Sequence, residues 1–334
     1  MSYQVTIQPS GHKFTVEAGQ TVLSAALDAG FALPYGCRNG ACGACKGKIL
    51  EGQVDYGNYQ PGTLPDEDRH RGLALFCSAT PKSDLTIEVK EVGAAKDIPI
   101  KTLPCRIERL EKLADDVMQI FLKLPANERL QFLPGQYIDF LLKDGKRRSF
   151  SLANAPEEDA LLELHVRHVA GGAFTDHVFN TMKVKDIMRI NGPLGSFFLR
   201  ESDKPAIFLA TGTGFAPIKS ILSHAFHHQS DRQLVLYWGA RNLQDMYMAQ
   251  LASEWQQAHG NFSFIPVLSQ AGNEWTGRTG YVQDAVLADF ADLSGYQVYA
   301  CGSPNMVDAA VKACSQHGLP EDEFFSDAFA FQSA

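Results

Sequence analysis

The segment GCRNGACGAC, residues 36–45, places three cysteines within nine residues, although the whole chain of 334 residues contains only seven. Small residues separate these cysteines, namely Gly40, Ala41, Gly43 and Ala44. Such a loop must be built around whatever its thiols bind, whether a disulfide partner, a zinc ion, a metal cluster or a substrate of a reactive thiol. The odd number of cysteines and their tight clustering favour a metal or cluster over disulfides.

A fourth cysteine helps to identify what the loop binds. Cys37, Cys42 and Cys45 have the spacing C-x4-C-x2-C, and Cys77 follows at a distance. This is the plant-type spacing of a 2Fe–2S cluster. Small neighbours allow backbone N–H groups to reach the sulfurs and stabilise an added electron. Zinc favours paired C-x2–4-C motifs, whereas Cys77 stands alone. The alternative for Cys77, taken by itself, is a buried thiol of the hydrophobic core. The spacing predicts that the four cysteines hold a 2Fe–2S cluster.

The length and net charge of the chain indicate how many domains it has and which partners it is expected to bind. A chain of 334 residues exceeds the usual size of one core, so two or three domains are expected. The net charge of −8 and the mixed signs argue against nucleic acid or an anionic membrane as main partner. The start MSYQVTIQPSG has neither a basic nor an apolar leader region, and no apolar run reaches the ~18 residues of a membrane span. A cytoplasmic protein with reduced thiols is expected.

The first part of the chain is predicted to be a small α+β domain over residues 1–93. Residues 4–7 and 14–17 alternate like two strands, with Gly11 at the turn. TVLSAALDAG indicates a short helix that ends at Gly30, and GKILEGQV and DLTIEVK indicate further strands. We expect a β-grasp ferredoxin-like domain, followed by a linker over residues 94–102.

The remaining chain changes pattern once. Residues 103–202 contain short strands separated by Gly, Pro and Asp, with one helix over 174–183, which predicts an antiparallel β-barrel. From residue 203 to 334, buried strands alternate with helices near 216–227, 244–258, 281–289 and 304–317. This alternation predicts a parallel α/β domain. The expected fold class is therefore multidomain, α+β and α/β.

The barrel motifs resemble those of the ferredoxin–NADP reductase superfamily. RRSFSLAN matches its FAD motif R-x-Y/F-S and precedes GGAFT and GPLGSF, of which residues 192–195 resemble a structural turn out of the barrel. The resemblance implies that Arg148 neutralises the FAD pyrophosphate, that Phe150 lies against the isoalloxazine and that Ser151 bonds near flavin N5. Ser149 lies within the same motif. Phe150 replaces the usual tyrosine, so a ribityl hydrogen bond is lost while stacking is kept.

A second flavin signature follows. By the same resemblance, GGAFT presents backbone N–H groups and a hydroxyl to the pyrophosphate at a helix start. Its residues are Gly172, Ala173, Phe174 and Thr175, with Thr175 where serine is usual. His165, Val166 and Arg167 are expected to flank the adenine side, although His165 and Arg167 are equally expected as solvated strand residues.

The third part carries a glycine loop between a buried strand and a helix. Glycine there lets the backbone approach a pyrophosphate, whose charge the helix N-terminus favours. The expected cofactor-binding residues are Thr211, Gly212, Thr213, Gly214 and Pro217. With a flavin barrel upstream, this loop predicts a nicotinamide dinucleotide site.

Four side chains are assigned to catalysis by the resemblance: Ser151, Cys301, Asp327 and Phe329. Cys301 and Gly302 end a strand in a C-G turn, so that Cys301 faces the meeting point of nicotinamide and flavin, although a core thiol is the alternative. Asp327 supports hydride transfer. Phe329 covers the flavin until nicotinamide displaces it, unless Phe325 does so or Phe329 belongs to the core.

The coenzyme is predicted to be NADH. NADPH needs a cationic pocket for its 2′-phosphate, and the superfamily often has Ser-Arg after the third strand. This chain has Ser269-Gln270 there. Arg241 is expected to contact the ribose, and Asp245 to accept from a 2′-hydroxyl. These residues favour NADH over NADPH.

The order ferredoxin, FAD barrel, NAD domain covers essentially the whole chain. It resembles fused iron–sulfur flavoprotein reductases that serve multicomponent oxygenases, and the related reductases of pyridoxamine-dependent sugar dehydrases. The resemblance implies that electrons pass from NADH through FAD and the 2Fe–2S cluster to an oxygenase or dehydrase partner. The competing hypothesis is a stand-alone diaphorase or flavin reductase whose ferredoxin domain lies off the electron path. A non-enzymatic binding module would require missing ligands, but all four cysteines, Arg148 and the glycine loop are present.

Overall fold

The computed structural model describes residues 2–93 and 98–329. The chain divides into two units, Met1–Pro99 and Ile100–Ala334. Of the expected linker, residues 94–97 lie outside the described residues, whereas Lys101 and Thr102 already belong to a strand. Within the described part of the chain, no helix is both long enough and apolar enough to cross a membrane.

The first unit is built on a five-stranded mixed sheet with the order β2-β1-β7-β3-β5. Its strands are β1 (Tyr3–Gln8), β2 (Lys13–Val16), β3 (Lys46–Glu51), β4 (Val54–Asp55), β5 (Leu73–Leu75), β6 (Thr80–Pro81) and β7 (Leu85–Glu88), and its helices are α1 (Val22–Asp28) and α2 (Asp66–His70). Strands β1 and β7 run parallel, and β4 pairs only with β6. The hydroxyl of Thr21 accepts from the backbone N–H of Ser24 at 3.2 Å and starts α1. The predicted α+β class is confirmed.

The second unit begins with a six-stranded antiparallel sheet of order β11-β10-β13-β8-β9-β12. Its elements are β8 (Lys101–Ala114), β9 (Val117–Lys123), β10 (Tyr137–Leu141), β11 (Arg147–Ser151), β12 (Leu162–Arg167), α3 (Ala173–Asn180) and β13 (Ile187–Leu194). The two edge strands meet at one bridge, between Leu152 and Leu164. The sheet therefore curls until its edge strands touch at one bridge, but the described residues do not form the closed barrel that the sequence predicts. The name barrel is kept below for this curled sheet.

One expectation within this sheet is corrected. The sequence predicts a structural turn over residues 192–195, but Gly192 and Pro193 lie inside β13, which pairs with both β8 and β10. The pairing with β10 changes register between Asn191 and Leu194, so Gly192 and Pro193 form a bulge inside the strand and not a turn that ends it.

The second unit continues with a parallel sheet of order β17-β16-β15-β14-β18-β19. Its strands are β14 (Ala206–Thr211), β15 (Leu234–Ala240), β16 (Phe262–Leu268), β17 (Arg278–Thr279), β18 (Gln297–Gly302) and β19 (Phe324–Ala328), and its helices are α4 (Phe215–His227), α5 (Ala249–Ala258), α6 (Val282–Asp289) and α7 (Pro304–Gln316). The chain leaves β14 towards β15 on one side and returns to β18 on the other. This reversal creates a crevice at the carboxyl ends of β14 and β18, where parallel sheets bind ligands. The predicted parallel α/β class is confirmed.

A buried charge cluster joins the barrel to the parallel sheet. Glu163 on β12 accepts hydrogen bonds from Lys219 on α4 at 2.9 Å and from Gln119 at 2.7 Å. His165 Nε2 lies 2.8 Å from the same carboxylate. Burial would raise the pKa of Glu163, but the hydrogen bond with His165 and the charge of Lys219 outweigh it and lower the pKa to about 2. The carboxylate is thus held ionised inside the protein.

The cluster extends to the parallel sheet through Tyr247. Its hydroxyl lies 2.9 Å from His165 Nδ1. Burial lowers the pKa of His165 and raises that of Tyr247, so the imidazole is neutral and the phenol protonated. A neutral imidazole has one N–H, so His165 Nε2 donates to Glu163 and Nδ1 accepts from the phenol of Tyr247. Both ends of the imidazole are therefore occupied by protein groups.

Replacing Lys219 with Met should strongly destabilise the second unit. The change keeps the apolar stem and a good helix former but leaves the Glu163 carboxylate buried without its cation, which typically costs about 3–5 kcal/mol. Urea unfolding followed by circular dichroism measures the loss. Lys112→Met is the matched control, because Lys112 and Asp115 form an exposed pair and such pairs contribute about 1 kcal/mol or less. Equal losses in the two variants would show that the buried cluster has no special weight.

Candidate functional site

The cysteine loop lies between α1 and β3, and its backbone N–H groups point at its sulfurs. Gly40 N donates to Cys77 Sγ at 3.3 Å, and Ala41 N donates to Cys37 Sγ at 3.4 Å. Cys37 N donates to Cys42 Sγ at 3.3 Å. These contacts bring the distant Cys77 to the loop and place amide dipoles where they stabilise negative charge on sulfur.

The four thiols influence one another in two pairs, Cys37 with Cys42 and Cys45 with Cys77. The bond with Cys42 lowers the pKa of Cys37 to about 6, and the bond with Cys45 lowers that of Cys77 to about 7. The same bonds raise the pKa of the two partner thiols well above the usual value. Two pairs of thiols at one point are the donor set that two irons, each with two cysteine ligands, require. The residues fit a 2Fe–2S cluster.

Glycine is required at one turn of this loop. Gly40 has a φ of +74°, and a Cβ added there would lie 2.7 Å from the carbonyl oxygen of Asn58 and 2.8 Å from Cα of Tyr59. Both obstacles are backbone atoms. A side chain at this position would therefore move the loop away from Cys77.

The flavin motif occupies β11, at the edge of the antiparallel sheet. The hydroxyl of Ser149 donates to Asp139 at 2.6 Å, which fixes the strand against β10. Arg148 and Phe150 are half-buried, and Ser151 is buried. The ring of Phe150 lies 5.4 Å from that of Phe174. The motif thus presents a cation and a partly open aromatic ring side by side along one strand.

The second flavin signature forms the start of α3. Gly172 is the residue before the helix, and no side chain caps it. The hydroxyl of Thr175 lies 3.0 Å from the carbonyl of Val169 and accepts from the Val169 N–H at 3.1 Å, so it holds the loop that leads into the helix. Ala173 is exposed, and Phe174 faces the core. An uncapped N-terminus offers N–H groups to an anion, which fits a pyrophosphate.

The three residues expected on the adenine side lie in different surroundings. The side chain of His165 has no exposed surface and belongs to the buried charge cluster, and Val166 lies in the barrel core. Arg167 is the exception because its guanidinium group approaches the glycine loop: a Cβ on Gly212 would lie 2.7 Å from its Nη1. Of these three residues, Arg167 faces the neighbouring pocket.

A pocket of about 570 Å³ opens at the carboxyl ends of β14, β15 and β18. Its predicted lining residues are Thr211, Gly212, Thr213, Arg241, Asp245, Ser269, Gly302 and Phe329. Gly214 lies beneath it, and a Cβ there would be 2.1 Å from the carbonyl oxygen of Cys301. Pro217 is buried in the first turn of α4. Glycine therefore lets α4 begin directly against the end of β18, which brings its N-terminus to the pocket.

The residues assigned to catalysis near the carboxyl end lie on two adjacent strands. Cys301 on β18 pairs in register with Asp327 on β19, and both are buried. Burial, and then the charge of Asp327, raise the pKa of Cys301 well above its usual value, so the thiol stays protonated. Cys301 packs in the hydrophobic core of the parallel sheet. Phe329 donates its N–H to the Gly302 carbonyl at 2.8 Å and lies at the pocket.

Several pocket residues escape sequence reasoning. They are Asp116, Tyr281, Gln283 and Asn305. Asn305 follows the end of β18, so the rule that ligands bind beyond the carboxyl ends of parallel strands would have found it. Asp116 lies in the turn between β8 and β9 and pairs with Arg167 at 3.1 Å. Its position depends on how the barrel and the parallel sheet pack, which no local pattern encodes.

These sites together define an oxidoreductase with three domains that bind a 2Fe–2S cluster, FAD and NAD. The chain matches the 2Fe-2S iron-sulfur cluster binding domain over residues 5–82, the oxidoreductase FAD-binding domain over 104–199 and the oxidoreductase NAD-binding domain over 208–312. It belongs to the family of iron–sulfur flavoprotein reductases.

Similar proteins share this arrangement over nearly their full length. The chain is 42% identical to the CDP-6-deoxy-L-threo-D-glycero-4-hexulose-3-dehydrase reductase of Yersinia pestis over 98% of its own length and 99% of that protein. It is 39% identical to the reductase component of phenol 2-monooxygenase from Pseudomonas sp. (strain CF600), over 98% and 95%. A crystal structure of an Amycolatopsis cytochrome P450 reductase has a TM-score of 0.78 and 33% identity, with 98% of both chains covered.

Gly40→Ala should lose the iron–sulfur cluster, because the added methyl group clashes with backbone atoms beside the loop. Gly11→Ala is the matched control, since Gly11 has nearly the same φ of +75° but has no atom within 4 Å of an added Cβ. Iron content and visible absorbance of the purified variants measure the outcome. A full complement of iron in Gly40→Ala would contradict the required close approach.

Gly214→Ala should weaken NADH binding by about tenfold or more, because α4 can no longer begin against the Cys301 carbonyl and its N-terminus shifts from the pocket. Titration calorimetry with NAD⁺, which occupies the same pocket without reducing the flavin, checks this. Gly260→Ala is the control, as an added Cβ there meets no atom within 4 Å. Unchanged affinity in Gly214→Ala would show that the helix start does not position the dinucleotide.

Proposed function

We propose that this protein passes electrons from NADH, through FAD and a 2Fe–2S cluster, to a partner protein. The observation that carries the proposal is a loop whose N–H groups donate to the sulfurs of Cys37, Cys42 and Cys77, in the same chain as a flavin motif and a dinucleotide pocket. The proposed domains are residues 1–93 for the cluster, 103–202 for FAD and 203–334 for NADH, with a linker over 94–102.

The cofactors supply the redox chemistry: a hydride carries two electrons, a flavin accepts two and releases one at a time, and the cluster carries one. The protein holds and orients them. Arg148 and the N-terminus of α3 balance the charge of the pyrophosphate, and Phe150 offers its ring to the flavin. Thr211, Gly212 and Thr213 line the coenzyme pocket. No side-chain nucleophile is needed.

The proposed roles at the hydride-transfer position rest on β11, β18, β19 and the residue that follows β19. Ser151 is placed to bond near flavin N5, and Phe329 to cover the flavin face. Asp327 and Cys301 are buried side by side on adjacent strands, so the proposal gives Asp327 a supporting role in hydride transfer through the protonated Cys301 thiol.

The coenzyme is proposed to be NADH. Asp245, Arg241 and Ser269 line the pocket together. Oδ2 of Asp245 accepts from the Asn242 N–H at 3.2 Å, in a capping box that fixes the carboxylate at the pocket. A carboxylate accepts from a 2′-hydroxyl and repels a 2′-phosphate, which supports NADH over NADPH.

The acceptor is proposed to be an oxygenase component or a pyridoxamine-dependent sugar dehydrase. The support is the likeness, over nearly the whole chain, to reductases that are named for both kinds of system. The net charge of −8 does not favour nucleic acid or an anionic membrane as partner. A cytoplasmic location is part of the same proposal.

Cys42→Ser should abolish electron transfer to a protein acceptor and leave NADH–ferricyanide turnover largely intact, because a small acceptor can take electrons from the flavin. Turnover is compared with both acceptors, with candidate hydroxylases and dehydrases as partners. Cys314→Ala is the control, since Cys314 is buried in α7 far along the chain from the cysteine loop. Unchanged protein reduction in Cys42→Ser would favour a stand-alone diaphorase. Equal loss with both acceptors would give the cluster a structural role only.

A further inference from the structure

A second group of metal-binding side chains lies outside the sites described so far. It consists of Glu157, His224 and His228. His224 Nδ1 lies 2.8 Å from Oε1 of Glu157, and His228 Nε2 lies 2.9 Å from the same oxygen. The three ligand atoms lie within 4.8 Å of one another. They converge on one point from two separate elements.

The two elements hold the ligands in place. His224 and His228 lie four positions apart, at the carboxyl end of α4, so they share one helix face. Glu157 comes from the short helical turn Pro156–Glu158, which follows the first flavin motif. Ser220 on α4 donates to the carbonyl of Asn154 at 2.6 Å. This bond holds the segment just before the turn against α4. The geometry therefore does not depend on flexible loops.

One oxygen of the Glu157 carboxylate has no hydrogen-bond partner in the part of the chain that the structure describes. Oε2 of Glu157 is buried and has no hydrogen-bond partner among the described residues. One carboxylate oxygen is thus shared by two imidazole nitrogens, and the other has no partner among the described residues. A cation bound by one carboxylate oxygen and the two imidazoles would give the carboxylate a charge partner.

The ligand types select the kind of cation. Two imidazoles and one carboxylate suit Zn²⁺ and its neighbours among the divalent transition metals, whereas Mg²⁺ and Ca²⁺ prefer oxygen ligands only. Two histidines four apart on a helix, with a third ligand from elsewhere, form a known zinc geometry. Three protein ligands leave the fourth position of a tetrahedral ion to water.

We propose that Glu157, His224 and His228 bind a divalent transition-metal ion, Zn²⁺ in the first instance, and that the ion fastens the turn Pro156–Glu158 to the end of α4. None of the three residues lines the dinucleotide pocket. The ion therefore stabilises the contact between barrel and parallel sheet without taking part in electron transfer. The proposal does not depend on the proposed function.

The test uses the holoenzyme, with its iron content measured in every sample. Protein stripped with a mild chelator is dialysed against stoichiometric Zn²⁺, and bound zinc is counted by elemental analysis. The wild-type protein should retain one more zinc per chain than His228→Asn. Zn²⁺ should raise the melting temperature of the wild-type protein and leave that of His228→Asn unchanged. The apparent affinity should fall at least ~10-fold in His228→Asn and in Glu157→Gln, since even outer-shell partners of metal sites cost that much.

His227→Asn is the matched control. His227 is exposed on the same helix turn but lies outside the ligand group, so this variant should bind zinc like the wild type. The melting temperature of each variant in chelator shows that it is folded before zinc is added. X-ray absorption at the zinc edge should show nitrogen and oxygen ligands with imidazole scattering. Zinc retention that is equal in the wild type and His228→Asn, or sulfur ligation, would overturn the proposal.

Discussion

The buried ion pair between Glu163 and Lys219 is the contact on which the geometry of the second unit depends. A buried pair contributes little net stability compared with apolar residues, but loss of either partner is costly, so the two elements that carry it must stay together. Glu163 lies on the barrel strand β12 and Lys219 on α4. Because α4 also begins at the dinucleotide pocket, the pair fixes the pocket relative to the barrel end that carries the flavin motifs.

The same helix is held at three levels along its length. Its start lies against the Cys301 carbonyl because residue 214 is glycine, its middle is bound through Lys219, and its end brings two histidines to Glu157. The first contact is steric, the second is a buried ion pair, and the third is made by two imidazoles on one carboxylate oxygen. A shift of α4 would disturb all three, which makes the helix the element that relates the coenzyme to the barrel.

Much of the architecture is readable from the sequence, and the exceptions have a common cause. The cysteine spacing, the alternating strands and the glycine loop are local patterns, and they predict the fold class and the three cofactor domains. His165 looks like an exposed strand residue in the sequence, and only the packing of β12 against Tyr247 makes it a buried bridge. Residues 192–195 resemble a turn because they contain Gly and Pro. They lie in and just after β13 instead, because β13 pairs with β8 and β10, which are distant in sequence. Contacts made between distant segments leave no signal at either residue alone.

The three cofactor sites share one device, the backbone N–H group brought close to an electron-rich atom. In the cysteine loop, Gly40 and Ala41 donate to sulfur. At α3 and α4, the helix begins at Gly172 or Gly214 without a capping side chain. An added Cβ at Gly40, Gly172 or Gly214 would lie within 3 Å of a neighbouring atom, so the close approach of the chain at these points requires glycine. That requirement explains why the binding loops stand out in the sequence, whereas Glu163, Lys219 and Tyr247, which align the loops by side-chain contacts, do not.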